Sequence, residues 1–277
     1  MKVRNFLIPC GVALSAVLAA TSAQAASFTS NVSQNTDPKA DIFLNSITQK
    51  GQTFSNFSYV NRAVIQYNTP RSSLNLSTSG AASTDKGDNA SAPLPPNEDP
   101  TAAEIAAYLG NNNLNNIIDG EDQGDFTVDI FFDSEIVQDD SDLDHIFYWE
   151  RGMNSYIDVQ ALDADGNPIS DFLNINQTTD PRKFAGFSID TTEIGGSQKV
   201  GAWGINLSHF GVTELSGLRL KAYGSGPLAS NGPDFKFIAR KTATVPEPAT
   251  LLGLGAVATF AFIRRRQGKS HSFKSIC

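Results

Sequence analysis

Cysteine is nearly absent. The 277 residues hold two, Cys10 and Cys277, one near each end. No disulfide can form within the stretch between them, and metal sites built on thiolates are excluded there. A body of roughly 220 residues buries enough core to fold without such staples. Histidine is scarce as well, with His145, His209 and His271 the whole supply. The nucleophile elbow G-x-S-x-G, the zinc-protease H-E-x-x-H and the Walker loop are all missing, so nothing local supports a hydrolytic triad, a zinc hydrolase or a nucleotide-binding loop. Positive charge is short: 21 Lys and Arg stand against 29 Asp and Glu, a formal charge of −8.

The distribution of charge says more than its total. Every acidic residue lies between Ala26 and Glu247, whereas two basic residues precede that stretch and five follow it. The central part therefore keeps 14 basic residues against 29 acidic ones, a formal charge of −15. Such a surface repels nucleic acid and anionic lipid. Divalent cations or neutral glycans are the companions its charge permits.

The two ends carry the clearest signals. Lys2 and Arg4 precede an apolar run, Phe6 to Ala20, and Ala23-Gln24-Ala25 supplies a small-x-small cleavage site. This is the pattern of a signal peptide over 1–25, with the mature chain beginning near Ala26. Cys10 follows Pro9 and precedes most of the apolar run, so it is not a lipidation site, and Cys277 as the last residue cannot be a prenylation box. At the other end stands Val245-Pro246-Glu247-Pro248, then the uncharged run Ala249 to Ile263, then Arg264-Arg265-Arg266. Two prolines around one residue remove two backbone donors and hold the chain extended. An apolar run closed by arginines marks a membrane helix whose arginine end stays in the cytoplasm. The run has 15 residues, about 22 Å as a helix. That falls short of the ~30 Å hydrocarbon core, so snorkelling arginines or local thinning must make up the difference.

This order of motif, apolar helix and basic tail resembles the PEP-CTERM sorting signal of bacterial surface proteins. The resemblance covers Val245 to Arg266 within a sorting segment placed at 245–277. It implies recognition by exosortase, a membrane-embedded cysteine transpeptidase that removes the helix and tail. The segment departs from the usual pattern in running on from Gln267 to Cys277. The competing reading is a plain C-terminal anchor that is never cut.

Between the ends, strand signals dominate. Asp41 to Thr48 and Phe57 to Tyr67 are expected strands. In Phe126 to Phe132 the residues Phe126, Val128, Ile130 and Phe132 share a face. Asp144 to Arg151 alternates less cleanly. Tyr156 to Leu162, Ile169 to Ile175, Phe184 to Ile189, Val200 to Leu207, Leu218 to Tyr223 and Phe235 to Arg240 follow, with a hairpin turn at Asp163 to Asn167. Ser27 to Lys39 is polar and is expected to be loose. The segment 69–125 has the Ser, Gly, Asn and Pro chemistry of a loop. It is expected to carry one helix, Thr101 to Leu109, capped by Asp99 with Pro100 at its first position and ended by Gly110. The expected fold is mainly β: an antiparallel, jelly-roll-like β-sandwich over 26–244 with a loop-rich insertion at 69–125.

The body also resembles a family. Gly80 to Asp88 (GAASTDKGD), Leu114 to Asp119 (LNNIID), Phe147 to Ser155 (FYWERGMNS), Trp203 to Ser208 (WGINLS) and Phe210-Gly211-Val212 are similar to cyanobacterial exosortase-dependent surface proteins. That resemblance implies a secreted β-domain on a PEP-CTERM anchor and no established activity.

Candidate chemistry is acidic or aromatic. Asp119, Glu121, Asp122 and Asp125 lie within seven residues, and Asp139, Asp140, Asp142 and Asp144 within six. Calcium takes six to eight hard oxygens, and loops of this kind can supply them. Neither group matches an EF-hand, and solvated turns are the competing reading. If one site is real, Asp119 to Asp125 is expected to hold it. Glu150 follows three aromatics and could act as a glycosidase acid beside a second carboxylate. The alternative is a partly buried ion pair or a turn residue. His145 and His209 are expected at the surface or in turns. Phe131, Tyr148, Trp149, Tyr156 and Trp203 could offer stacking surfaces to sugar, with Tyr148, Trp149 and Trp203 the expected glycan platform. The alternative is that these rings are core.

Together these features predict an exported cell-surface or extracellular-matrix protein with a non-catalytic body. Its expected partners are exosortase, the membrane through 249–263 before processing, and extracellular polysaccharide. A glycan-binding module on the same anchor, using calcium, is the alternative. A glycoside-active enzyme using Glu150 is the third reading.

Overall fold

The computed structural model describes residues 28–33, 37–71, 81–176, 183–193, 195–226 and 229–242. The segments expected as signal peptide and sorting segment, including Val245 to Pro248 and Arg264 to Arg266, lie outside the described residues. In chain order the strands are β1 (Phe28–Val32), β2 (Leu44–Gln49), β3 (Gln52–Phe54), β4 (Phe57–Ser58), β5 (Val60–Asn68) and β6 (Ala82–Lys86). Helix α1 (Ala102–Leu109) follows, then β7 (Asn116–Gly120), β8 (Phe126–Val137), β9 (Ile146–Arg151), β10 (Tyr156–Leu162) and β11 (Leu173–Asn176). The chain ends its described part with β12 (Lys183–Ile189), β13 (Gln198–Ile205), β14 (Glu214–Ala222) and β15 (Asp234–Arg240).

These strands make three antiparallel sheets. One has five strands in the order β11-β10-β14-β8-β5. A second has the order β12-β13-β9-β15-β7-β6, with β4 added beside β15. A small third sheet is β1-β2-β3. Strand β7 pairs with β15, β8 with β14, β9 with β13, and β10 with β11. The cross-pairs β9 with β15 and β10 with β14 complete the pattern. This is one long hairpin rolled up across two sheets, the pairing of a jelly roll.

The main core lies between the two large sheets. Val128, Ile130, Val159 and Leu220 from the five-stranded sheet meet Tyr148, Trp203, Phe235 and Phe237 from the other. Helix α1 closes one end of this core with Ile105, Tyr108 and Leu109. A second core covers the far face of the seven-stranded sheet. There Phe147, Trp149, Ile117 and Ile238 pack against Leu44, Ile47 and Phe28 of the small sheet. The seven-stranded sheet is therefore covered on both faces, and every residue of β9 and of β15 is buried. That explains the poor alternation of Asp144 to Arg151, because a strand buried on both sides has no polar face to alternate with.

Three expectations need correction. The polar start is not loose, since Phe28 to Val32 is a strand pairing with β2. The segment 69–125 is not a loop excursion. It supplies β6 and β7, both strands of the seven-stranded sheet. Their sequences, ASTDK and NIIDG, look like turn chemistry because the polar side chains are buried at a site described below. The cap of helix α1 stands two residues later than expected. Thr101, not Asp99, is its cap: the Thr101 hydroxyl accepts from Glu104 N–H at 3.3 Å, and Glu104 accepts from Thr101 N–H at 2.7 Å, a reciprocal capping box. Gly110 ends it as expected. The turn after β10 closes on Asp163, whose carboxylate accepts from the N–H groups of Asp165 and Asn167, with Gly166 at φ 87°.

Candidate functional site

Strand register collects the buried carboxylates. Ser83 on β6 lies opposite Asp119 on β7, and Asp234 on β15 lies opposite Arg151 on β9. Period-two alternation sends Asp85, Asp119, Asp234 and Arg151 to the face of the seven-stranded sheet that carries the second core. The connection between β12 and β13 then crosses to β6. Thr191 bridges Gly87, and Thr192 N–H donates to Lys86 O at 2.8 Å. This crossing delivers Glu193, whose own N–H donates to Asp85 Oδ2 at 3.3 Å.

The result is a carboxylate cluster. One oxygen from each of Asp85, Asp119 and Glu193 lies within 4.8 Å of the others. Asp85 and Asp119 are buried and Glu193 half-buried. Burial, then the neighbouring Asp234 carboxyl, holds Asp119 well above the usual carboxylate range. Asp234 is raised as well, by burial, although Arg151 pairs with it at 2.9 Å. Burial likewise raises Asp85. Around these stand Glu98 and Glu121, each pushed up to about 7, first by burial and then by the Glu193 carboxylate. The chemistry is hard and oxygen-only, and Asp85, Asp119 and Glu193 are the residues that could hold a cation.

The four residues expected to bind calcium are only partly brought together. Asp119 is at the centre of the cluster, and Glu121 is beside it. Asp122 instead lines an adjoining cleft of about 180 Å³ with Glu121, Arg151, Asn154, Gln198 and Asp234. Asp125 is elsewhere, accepting from Gly224 N–H at 3.0 Å. Sequence reasoning missed Asp85, Glu193 and Asp234 because they lie far along the chain from Asp119. No local spacing links them, only strand register and one long connection.

Three members of the second acidic run are committed to structure, while Asp140 is exposed. Asp139 is gripped by both terminal nitrogens of Arg240 at 2.6 and 3.0 Å, which hold its carboxyl well below the usual range. Asp142 pairs with Lys50. Asp144 is buried and accepts from Gln49 Nε2 at 2.6 Å.

The expected aromatic platform is overturned. Tyr148, Trp149 and Trp203 are 0, 2 and 2% exposed, so none offers a ring face to a sugar. Tyr148 and Trp203 lie side by side in the main core, and Trp149 lies in the second core with its Nε1 donating to Ser30 Oγ at 2.9 Å. A sheet packed on both sides leaves its large rings no outer face. Glu150 is also fully buried, with Oε1 accepting from Ser155 Oγ at 2.8 Å, which withdraws it from any approaching glycan. His145 is buried rather than at the surface, its Nδ1 accepting from Leu207 N–H at 3.5 Å. His209 caps a short 3-10 turn and stacks on Trp203 at 6.1 Å between ring centres.

Comparison with known proteins finds the PEP-CTERM protein-sorting motif at residues 244–267. This coincides with the tripartite C-terminal segment and supports sorting of the chain to the cell surface through exosortase. No curated protein and no solved structure matches the chain. Among the described residues no helix is long and apolar enough to cross a membrane, and the apolar run 249–263 lies outside them.

Proposed function

We propose that the chain is an exported cell-surface or extracellular-matrix protein whose β-sandwich body is a non-catalytic structural unit. In this reading the body carries no reaction. The residues of the sorting segment act as a substrate, not as catalysts. The apolar run holds the chain in the membrane with Arg264 to Arg266 on the cytoplasmic side. The exosortase thiol then attacks near Pro246-Glu247-Pro248, and the body passes to a surface acceptor or is released.

The single observation that carries this reading is the sorting motif at residues 244–267. The body is compatible with it: Glu150, which the glycosidase reading needs exposed, and His145, which a triad would need, are both enclosed. The test is to replace Pro246, Glu247 and Pro248 with alanine and to fractionate cells. The variant is expected to stay in the membrane fraction at its unprocessed size. Equal amounts of processed variant and parent protein at the surface would overturn the reading.

A further inference from the structure

We propose that Asp85, Asp119 and Glu193 form the core of a calcium site that ties the β12–β13 connection to the edge of the seven-stranded sheet. Geometry comes first. Calcium holds oxygens at about 2.3–2.6 Å, so two ligands on opposite sides of one ion lie about 4.6–5.2 Å apart. One oxygen from each of the three carboxylates falls within 4.8 Å of the other two, close enough to share a single ion.

Unmet oxygens are the second and independent observation. Among the described residues no N–H or hydroxyl donor reaches the buried Asp119 Oδ2, and the side chain meets only the carboxyl of Asp234. Ser83 is 1% exposed and its Oγ has no hydrogen-bond partner, although it sits opposite Asp119 on the same face. Glu193 Oε1 and Glu98 Oε2 are in the same condition. Buried polar atoms in proteins are nearly always satisfied, and leaving each one bare is costly. Bare oxygens on Asp119 and Glu193, two members of the carboxylate cluster, with bare Ser83 Oγ across the strand pair from Asp119, are what an oxygen-coordinated cation would satisfy. Arg151 does not serve, because its guanidinium is turned to Asp234 and to the carbonyl of Ile189.

Charge agrees. Asp85, Asp119, Glu193, Asp234, Glu98 and Glu121 bring six carboxyls to this end of the sheet, with Arg151 on Asp234 and Arg71 acting on Glu98. The cleft lined by Glu121, Asp122 and Asp234 gives a path from solvent to Asp234, which meets Asp119. The inference stands apart from the sorting reading and can fail without it.

The test uses the full chain, purified in detergent and stripped with a chelator, then dialysed against radioactive calcium at neutral pH. One calcium per chain is expected, with a dissociation constant on the order of 10⁻⁴–10⁻³ M, the range of extracellular calcium modules. Calcium is also expected to raise the melting temperature. Asp119→Asn and Glu193→Gln should each weaken binding by roughly tenfold or more. Asp165→Asn, in an exposed turn, should bind as the parent does. Glu193 comes from a connection rather than a strand, so its variant keeps the test open if Asp119→Asn does not fold. The assignment is overturned if the parent binds no calcium, if magnesium alone binds, or if Glu193→Gln and Asp165→Asn bind alike.

Discussion

Asp144 and His145 are adjacent and both buried, and burial drives them in opposite directions. It pushes the Asp144 carboxyl up to about 6 and the His145 imidazole down to about 4. The histidine loses protons on folding, so its contribution is complete above its unfolded value near 6.5 and fades as pH falls toward 4. The aspartate gains protons on folding, so its contribution is complete below about 4 and fades as pH rises through 6. Each is about 3 kcal/mol, and the two offset between pH 4 and 6. Asp139, Arg240, Lys50 and Asp142 are the charged groups around them. Asp144→Asn should expose the histidine slope: relative to the parent, its stability in urea melts should fall by about 3 kcal/mol from pH 6 to 4. A constant difference between variant and parent across that window would refute this pairing. Gly204 faces the same carboxyl. A Cβ there would lie 1.9 Å from Asp144 Oδ2, which Gln49 holds in place. Gly204→Ala should cost about 3 kcal/mol in chemical denaturation, and a loss below about 0.5 kcal/mol would contradict the packing described. None of this is legible in the sequence, where His145 looks like a turn residue and Asp144 like one more surface charge. Residue-level chemistry here is set by burial, and burial is set by strands that are distant in the chain.

Elements were easier to read than residues where one face is wet and one dry. Phe126 to Phe132 and Leu218 to Tyr223 alternate, and both lie in the five-stranded sheet. Legibility failed for strands covered on both faces or lined with buried polar groups. In β6, four of five residues are buried, three of them Ser83, Thr84 and Asp85. A polar strand that packs its polar groups against one another has the composition of a loop, so the segment 69–125 concealed two strands of the central sheet. The small third sheet was half seen, since β2 was expected while β1 was taken for a tail. Helix α1 is legible in the sequence with its end at Gly110, but Asp99 and Pro100 imitate a start two residues before the true cap, Thr101. The capping box makes this testable. Thr101→Ala should lower stability by about 1 kcal/mol, measured by thermal melting with Thr101→Ser as the conservative control. If alanine and serine variants melt together with the parent, the box contributes nothing.

At the scale of the whole molecule, an acidic, cysteine-free β body is followed by a sorting motif at 244–267. The acidic excess, 29 against 14 in the central part, repels anionic surfaces. The jelly-roll pairing was legible as a class, because many short strands separated by turns and one short helix leave few other solutions. Its three-layer thickness was not, since nothing in one strand records which strand covers it. The C-terminal segment needed no tertiary reasoning at all. It is a local, linear signal, and the match at 244–267 falls on the residues that the sequence pattern marks. Intact-mass measurement of the protein recovered from the cell envelope and from the medium tests the central claim most directly. The account predicts a chain running from near Ala26 to near Pro248, with the helix and arginine tail removed and any added group at the new C-terminus. A mature chain that still ends at Cys277 would contradict it.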